Sequence, residues 1–99
     1  MDKKIMRESV VVVTPKQVWS DFLEDEIVVL DVQEGAYYVL NEVGARIWAM
    51  IQEPRTVDEI IRALLEEYDV EETQGVHEVV RLLQDLANRG LVDVRDGPG

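Results

Sequence analysis

The stretch Gly35-Ala36-Tyr37-Tyr38-Val39-Leu40-Asn41-Glu42-Val43-Gly44-Ala45-Arg46-Ile47-Trp48 starts as a strand and ends as a helix. Gly35 suits a turn, residues 37 to 40 carry the aromatic and β-branched side chains that favour strands, and Asn41 is a strong helix N-cap. Residues before this stretch read as β, and nearly all residues after it read as α. A short strand that stops abruptly at a helix leaves backbone donors and acceptors that something else must satisfy. What satisfies them is the functional question.

Upstream, Ile27 to Val32 is the clearest strand. Alternation puts Val28, Leu30 and Val32 on one face and Ile27, Val29 and Asp31 on the other, and the charge of Asp31 marks that second face as the wetter one. Gln33-Glu34-Gly35 then turns the chain, so that Tyr38 and Leu40 share an inner face with Leu30 while Tyr37 and Val39 lie on the outer face. Gln17 to Phe22 alternates as a further strand, joined to Ile27 through the polar connection Leu23-Glu24-Asp25-Glu26. The valine run within Ser9 to Thr14 is stopped by Pro15 and reads as an edge strand or extended lead-in. Residues 1–8 read as a flexible basic arm, residues 9–95 as one domain and residues 96–99 as a disordered tail.

Downstream, Asn41 opens a helix to about Gln52, with Val43, Ile47, Met50 and Ile51 at helical spacing. Gly44 inside it costs up to about 1 kcal/mol relative to alanine, which points to close approach of the helix to another element. Pro54 ends that helix. Thr56-Val57-Asp58-Glu59 is a capping box, and Val57, Ile60, Ile61, Leu64 and Leu65 form the apolar face of a second helix. A third helix begins between Glu71 and Gly75 and continues to Asn88, where Gly90 reads as the C-terminal stop. Its apolar arc holds Val76, Val79, Val80, Leu83, Leu86 and Ala87, at about 100° per residue. Leu82 lies outside the arc, on a flank with Glu78, Asp85 and Arg89. Leu91 to Val94 is a short extended segment.

Composition excludes several functions. Hydrophobic residues make up 46% of the chain and charged residues 31%, which describes a folded domain. No apolar run approaches the roughly 20 residues of a membrane span, and the N-terminus lacks the apolar core of a signal peptide. Without cysteine there is no disulfide framework, and the expected compartment is the cytoplasm. Ten Lys and Arg stand against 21 Asp and Glu, a net charge of −11, so binding of nucleic acid through phosphate neutralisation is disfavoured. The acids crowd the presumed sheet: Asp21, Glu24, Asp25, Glu26, Asp31, Glu34 and Glu42 fall in a stretch, Gln17 to Ala45, that has no Lys or Arg.

Catalytic chemistry is sparse. Ser9, Ser20 and the single histidine, His77, offer no triad pattern. His77-Glu78-Val79-Val80-Arg81 begins like H-E-x-x-H but has Arg81 where the second zinc ligand must stand. Neither a metal nor a cofactor is expected, and the chain reads as a non-enzyme.

Three strands followed by three helices give an α+β domain of winged-helix-like outline: a three-stranded antiparallel sheet followed by a three-helix bundle. A DNA-binding use of that outline fails on charge. The constructive reading is β-augmentation, in which an extended peptide adds to the edge formed by Ala36 to Leu40. Two other readings stand beside it: the edge pairs with a second copy in a self-association module, or Leu91 to Val94 covers it.

The run Ile27-Val28-Val29-Leu30-Asp31, the stretch from Gly35 to Trp48, Glu53-Pro54-Arg55-Thr56-Val57-Asp58-Glu59-Ile60, Leu65-Glu66-Glu67-Tyr68-Asp69-Val70 and Gly90-Leu91-Val92 together resemble the PqqD-like family. The resemblance covers roughly Val18 to Val94. It implies a RiPP recognition element, a winged-helix-like domain that binds the leader of a ribosomally made precursor peptide as an extra strand. The chain looks most like the separate leader-binding protein of split lasso-peptide B systems. That implies a leader peptidase and an ATP-dependent cyclase as partners, with no nucleic acid and no membrane. The alternative within the family is a PqqD-type peptide chaperone that presents its precursor to a radical SAM enzyme. On this resemblance Ala36, Tyr37, Tyr38, Val39 and Leu40 supply the strand edge. Tyr37 or Val39, with Val76, Val79, Val80, Leu82 and Leu83, forms an apolar groove, and Glu78 and Asp85 meet lysines of the leader.

Overall fold

A computed structural model of the chain defines residues 5–14, 26–31 and 34–95, and the backbone of residues 18–23. In chain order the elements are β1 (Val10–Val13), β2 (Val18–Leu23), β3 (Glu26–Asp31), β4 (Ala36–Leu40), α1 (Glu42–Met50), β5 (Arg55–Thr56), α2 (Val57–Glu67), α3 (Glu72–Asn88) and β6 (Val92–Arg95). This is the expected α+β arrangement, with a three-stranded antiparallel sheet of order β2-β3-β4. A second three-stranded sheet, of order β5-β1-β6, accompanies it. Pro15, Lys16, the connection at Glu24-Asp25 and the tail at 96–99 lie outside the described residues.

The valine run is not an edge. Val10 to Val13 form the middle strand of the second sheet, pairing antiparallel with β6 from Val10↔Arg95 to Val13↔Val92 and with β5 at Val10↔Thr56 and Val11↔Arg55. The strand ends at Val13, two residues before Pro15 in the sequence. Leu91 to Val94 therefore serves β1 and not the β4 edge. Beyond the ladder, the Val13 amide donates to the Ile51 carbonyl (3.0 Å) and the Thr14 amide to the Leu91 carbonyl (3.1 Å).

Residues 5–8, expected within a flexible arm, are tied into the fold. Ile5 is buried with the core. The carbonyls of Arg7 and Ser9 accept from the amides of Asp58 and Val57, each at 2.9 Å, and the Arg7 guanidinium meets Asp58 at 2.7 Å. The Thr56 hydroxyl accepts from the Glu59 amide (3.1 Å), and the Glu59 carboxylate accepts from the Thr56 amide (3.1 Å), which is the capping box read from sequence. All four amides that a helix start leaves without intrahelical partners are thus satisfied at α2.

The core lies between the helices and the two sheets. Trp48, Ile47 and Ile51 enter from α1 and its C-cap, Ile60, Ile61 and Leu64 from α2, Leu83, Leu86 and Val79 from α3, and Val11, Val29 and Leu40 from the strands. Full burial of each large side chain contributes about 1.5–3 kcal/mol. Helix α3 closes on Gly90, with the Gly90 amide donating to the Ala87 carbonyl (3.0 Å) and the Leu91 amide to the Leu86 carbonyl (2.9 Å). Those are the two bonds of a Schellman motif. Its apolar pair, Leu86 and Leu91, is buried, and the motif aims the chain into β6.

The two faces of β3 are the reverse of the sequence expectation. Ile27, Val29 and Asp31 face the core, with Val29 at 0% and Asp31 at 3% exposure, whereas Val28 and Leu30 are half-buried on the outer side. Asp31 stands at the strand end, where it holds the turn. Its carboxylate accepts from the Glu34 amide (3.2 Å) and its carbonyl from the Gly35 amide (2.8 Å). The charge marks a turn anchor, not a wet face. Tyr38 and Leu40 consequently lie opposite Val29 and Ile27, and Tyr37 opposite Leu30.

Candidate peptide-binding groove

Strand β4 ends the order β2-β3-β4 and pairs with β3 alone, so its far edge has no strand partner among the described residues. Alternate residues of such a strand turn their N–H and C=O groups outward. Asn41 stops the strand by capping α1, its side chain accepting from the Gly44 amide at 2.9 Å. A Cβ on Gly44 would stand 3.2–3.3 Å from the Leu40 side chain. The close approach expected of this glycine is thus to the end of β4 itself, and it keeps helix and strand locked at their junction.

Between β4 and α3 runs an open groove of about 810 Å³. Tyr38, Val39 and Leu40 line it from β4, and Val43, Gly44 and Ile47 from α1. Leu64, Tyr68 and Val70 close one end, where α2 passes to α3. Helix α3 contributes Gly75, Glu78, Val79, Arg81, Leu82, Gln84, Asp85 and Asn88, and Glu26 joins the rim. The floor is apolar and the rim is charged. A smaller cavity of about 520 Å³, lined by Glu34, Ala36, Ala87, Asn88, Arg89 and Gly90, continues towards the start of β4.

Three side chains brace strand against helix between the two cavities. The Tyr38 hydroxyl donates to Asp85 Oδ2 at 2.6 Å, Arg89 Nε lies 3.6 Å from Asp85 Oδ1, and the Arg89 guanidinium sits 4.9 Å from the centre of the Tyr38 ring. Burial, and then the Asp85 carboxylate that accepts its proton, push the Tyr38 hydroxyl up to about 12. The phenol therefore stays protonated through the neutral range and keeps donating.

Seven of the twelve expected site residues line the main groove: Tyr38, Val39, Leu40, Glu78, Val79, Leu82 and Asp85. Ala36 borders the smaller cavity instead. Tyr37 is 72% exposed on the outer face of the sheet, opposite Leu30, and points away from the groove. Leu83 is fully buried in the core, and Val76 and Val80 pack partly buried against it outside the groove lining. Val76, Val80 and Leu83 belonged to a stripe read as continuous. The helix in fact divides that stripe between the core and the groove, with Val79 bordering both and Leu82 on the groove side. Asp85, expected to meet a lysine, is already engaged by Tyr38 and Arg89.

Tyr68, Val70, Gly75, Arg81 and Gln84 were not foreseen. Helix α2 ends at its C-cap Tyr68, whose amide makes the last helical bond to the Leu64 carbonyl (2.8 Å), and Arg46 on α1 holds Glu67 at 2.9 Å beside it. An aromatic residue and a valine flanking a helix end were the only sequence signal for this wall. His77 is exposed on α3 and does not line the groove.

Among the described residues no helix is long and apolar enough to cross a membrane. An edge strand facing a helix across an apolar groove defines a class of domain that offers a place for one more strand. The chain belongs to the PqqD family: residues 26–92 match the family described as coenzyme PQQ synthesis protein D. No curated protein sequence matches the chain. Among solved structures it is similar to TbiB1, determined in complex with the TbiA(beta) leader peptide. The two are 32% identical over 83% of this chain and 94% of that one, with a TM-score of 0.73.

Proposed function

We propose that the chain is a non-catalytic RiPP recognition element that captures the leader of a ribosomally made precursor peptide as a fourth strand on β4. It then presents the bound precursor to the enzymes of a lasso-peptide pathway, a leader peptidase and an ATP-dependent cyclase. The observation that carries this reading is the uncovered β4 edge above an apolar groove, on a chain 32% identical to a protein captured with a leader peptide. Ladder bonds to Ala36–Leu40 supply affinity with little regard to sequence, each worth a net of about 0.5–1.5 kcal/mol. Val39, Leu40, Tyr68, Val79 and Leu82 select apolar side chains of the leader, and Glu26 and Glu78 on the rim favour its basic residues.

The test is a titration of labelled leader peptides by fluorescence anisotropy, starting with the TbiA(beta) leader and continuing with leaders of short precursors encoded beside this chain. Saturable binding that shifts the amide resonances of Ala36–Leu40 supports the reading. Binding without perturbation of those amides refutes strand addition. Failure of every leader refutes the recognition role. Cleavage or modification of a leader by the purified chain alone refutes the non-catalytic assignment.

A further inference from the structure

We infer that Arg81 is a specificity-determining residue of the groove and takes a carboxylate carried by the bound peptide. This rests on the peptide-binding reading above.

The chain carries about two acids for every base, so an arginine without an acidic partner is unusual within it. Of the seven arginines, Arg7, Arg46, Arg55, Arg62 and Arg89 are each committed to a carboxylate, and Arg95 ends β6 outside the groove lining. Arg81 makes no ion pair or hydrogen bond among the described residues, yet its own helix places Glu78 three residues before it and Asp85 four residues after. Those are the spacings at which helix side chains meet. Both acids are engaged elsewhere. Asp85 accepts from Tyr38 at 2.6 Å and lies 3.6 Å from Arg89, and Glu78 accepts from the Gln74 amide group at 3.4 Å. The brace that holds β4 to α3 thus leaves the Arg81 guanidinium free on the groove wall. Arg81 shares the groove lining with Tyr38, Leu82 and Asp85.

A free guanidinium presents a planar fork that matches a carboxylate by two parallel hydrogen bonds, a geometry that fixes register as well as adding affinity. A peptide strand on β4 has main-chain bonds at every second residue, so the ladder alone permits slippage in steps of two residues. One Asp or Glu meeting Arg81 removes that freedom. Basic residues of the same peptide are directed to Glu26 and Glu78, so the rim reads a pattern of both signs.

The experiment is a display selection of random 15-residue peptides against the wild-type protein and against Arg81→Glu, with circular dichroism melts confirming that both are folded. Wild type should enrich apolar peptides with Asp or Glu at one fixed position, and Arg81→Glu should replace that acid with Lys or Arg at the same position. For a selected peptide, Arg81→Ala should weaken binding about threefold and Arg81→Glu about tenfold. Exchanging the peptide's acid for lysine should restore affinity to Arg81→Glu. Enrichment of peptides with no fixed acidic position, or the same peptides from both proteins, overturns the role of Arg81 and leaves peptide capture standing. Absence of any enrichment on the wild type overturns both.

Discussion

Tyr38→Phe removes one oxygen and tests whether the brace holds strand to helix. The lost bond runs 2.6 Å to a carboxylate, and hydrogen bonds to charged acceptors contribute about 1.5–3 kcal/mol when well shielded. Here the Asp85 side chain is 46% exposed, so water can replace the phenol and salt screens the charge. The expected loss is therefore about 1 kcal/mol, a drop of roughly 4–8 °C in Tm for a domain of this size. Alkaline pH supplies a second readout. The folded state holds the Tyr38 hydroxyl at about 12, against 10.0 for an ordinary tyrosine. Above pH 10 the unfolded chain gives up this proton while the folded chain retains it, so stability is lost as pH rises from 10 to 12. Tyr38→Phe lacks that limb, and the gap between the two proteins should narrow across the same interval. Urea unfolding at pH 7, 10, 11 and 12 measures both effects. Equal stability at pH 7 together with parallel alkaline curves would show that Tyr38 and Asp85 are neighbours without being a brace.

Val11→Ala should cost about 2 kcal/mol in urea unfolding, because Val11 is fully buried in the middle strand of the second sheet. A value under 0.5 kcal/mol would return residues 10–13 to an edge. Thr56→Ala should destabilise α2 by about 1 kcal/mol through loss of its cap. The Thr56 amide and hydroxyl hold the Glu59 carboxyl below its ordinary range, so the cap's contribution persists above that range and fades as pH falls through it. Thermal melts between pH 3 and 7 should therefore show the wild-type advantage shrinking towards acid. Leu82→Asp should fold and weaken leader binding at least about tenfold, in keeping with a central apolar anchor, whereas Leu83→Asp should fail to fold. Tyr37→Ser should leave both stability and leader affinity within about 0.5 kcal/mol, as expected of an exposed side chain away from the groove.

Local signals in the chain were legible because single residues carry them. Asn41, the Thr56/Glu59 capping box and Gly90 mark helix boundaries by chemistry that acts within four residues, and each stands where it was read. The edge at Ala36–Leu40 was legible because the strand runs straight into a helix and it is the last of three consecutive strands. The two faces of β3 were not. A charge at a strand end looks like solvent exposure, but the Asp31 carboxylate is buried and one of its oxygens holds the turn. The second sheet was hidden because its paired residues stand 44–46 and 79–85 positions apart in sequence, and one of its strands is the two residues Arg55–Thr56, too short to show a period. On α3, helical periodicity set Leu82 on a flank apart from the arc that holds Leu83, but it did not show that Val76, Val80 and Leu83 of that arc pack on the core and not in the groove. Tyr68 and Val70 escaped because a loop wall has no period at all.

The pairing of Val10 with Arg95 also bears on how the protein comes to be folded. The hairpins linking β2, β3 and β4 join neighbours and close at small entropic cost, so they form early. Strand β1 leads the described sheets yet finds β6 only after all three helices have been threaded between them. During synthesis one edge of its four valines can meet β5 once residue 56 is out, but the edge that pairs with β6 stays open until residue 95 has cleared the ribosome. For that interval the run Val10–Val13 is the segment most open to mispairing with another nascent chain. A substitution that slows α3 should therefore show first as aggregation during expression, before any change in the melting of the finished protein.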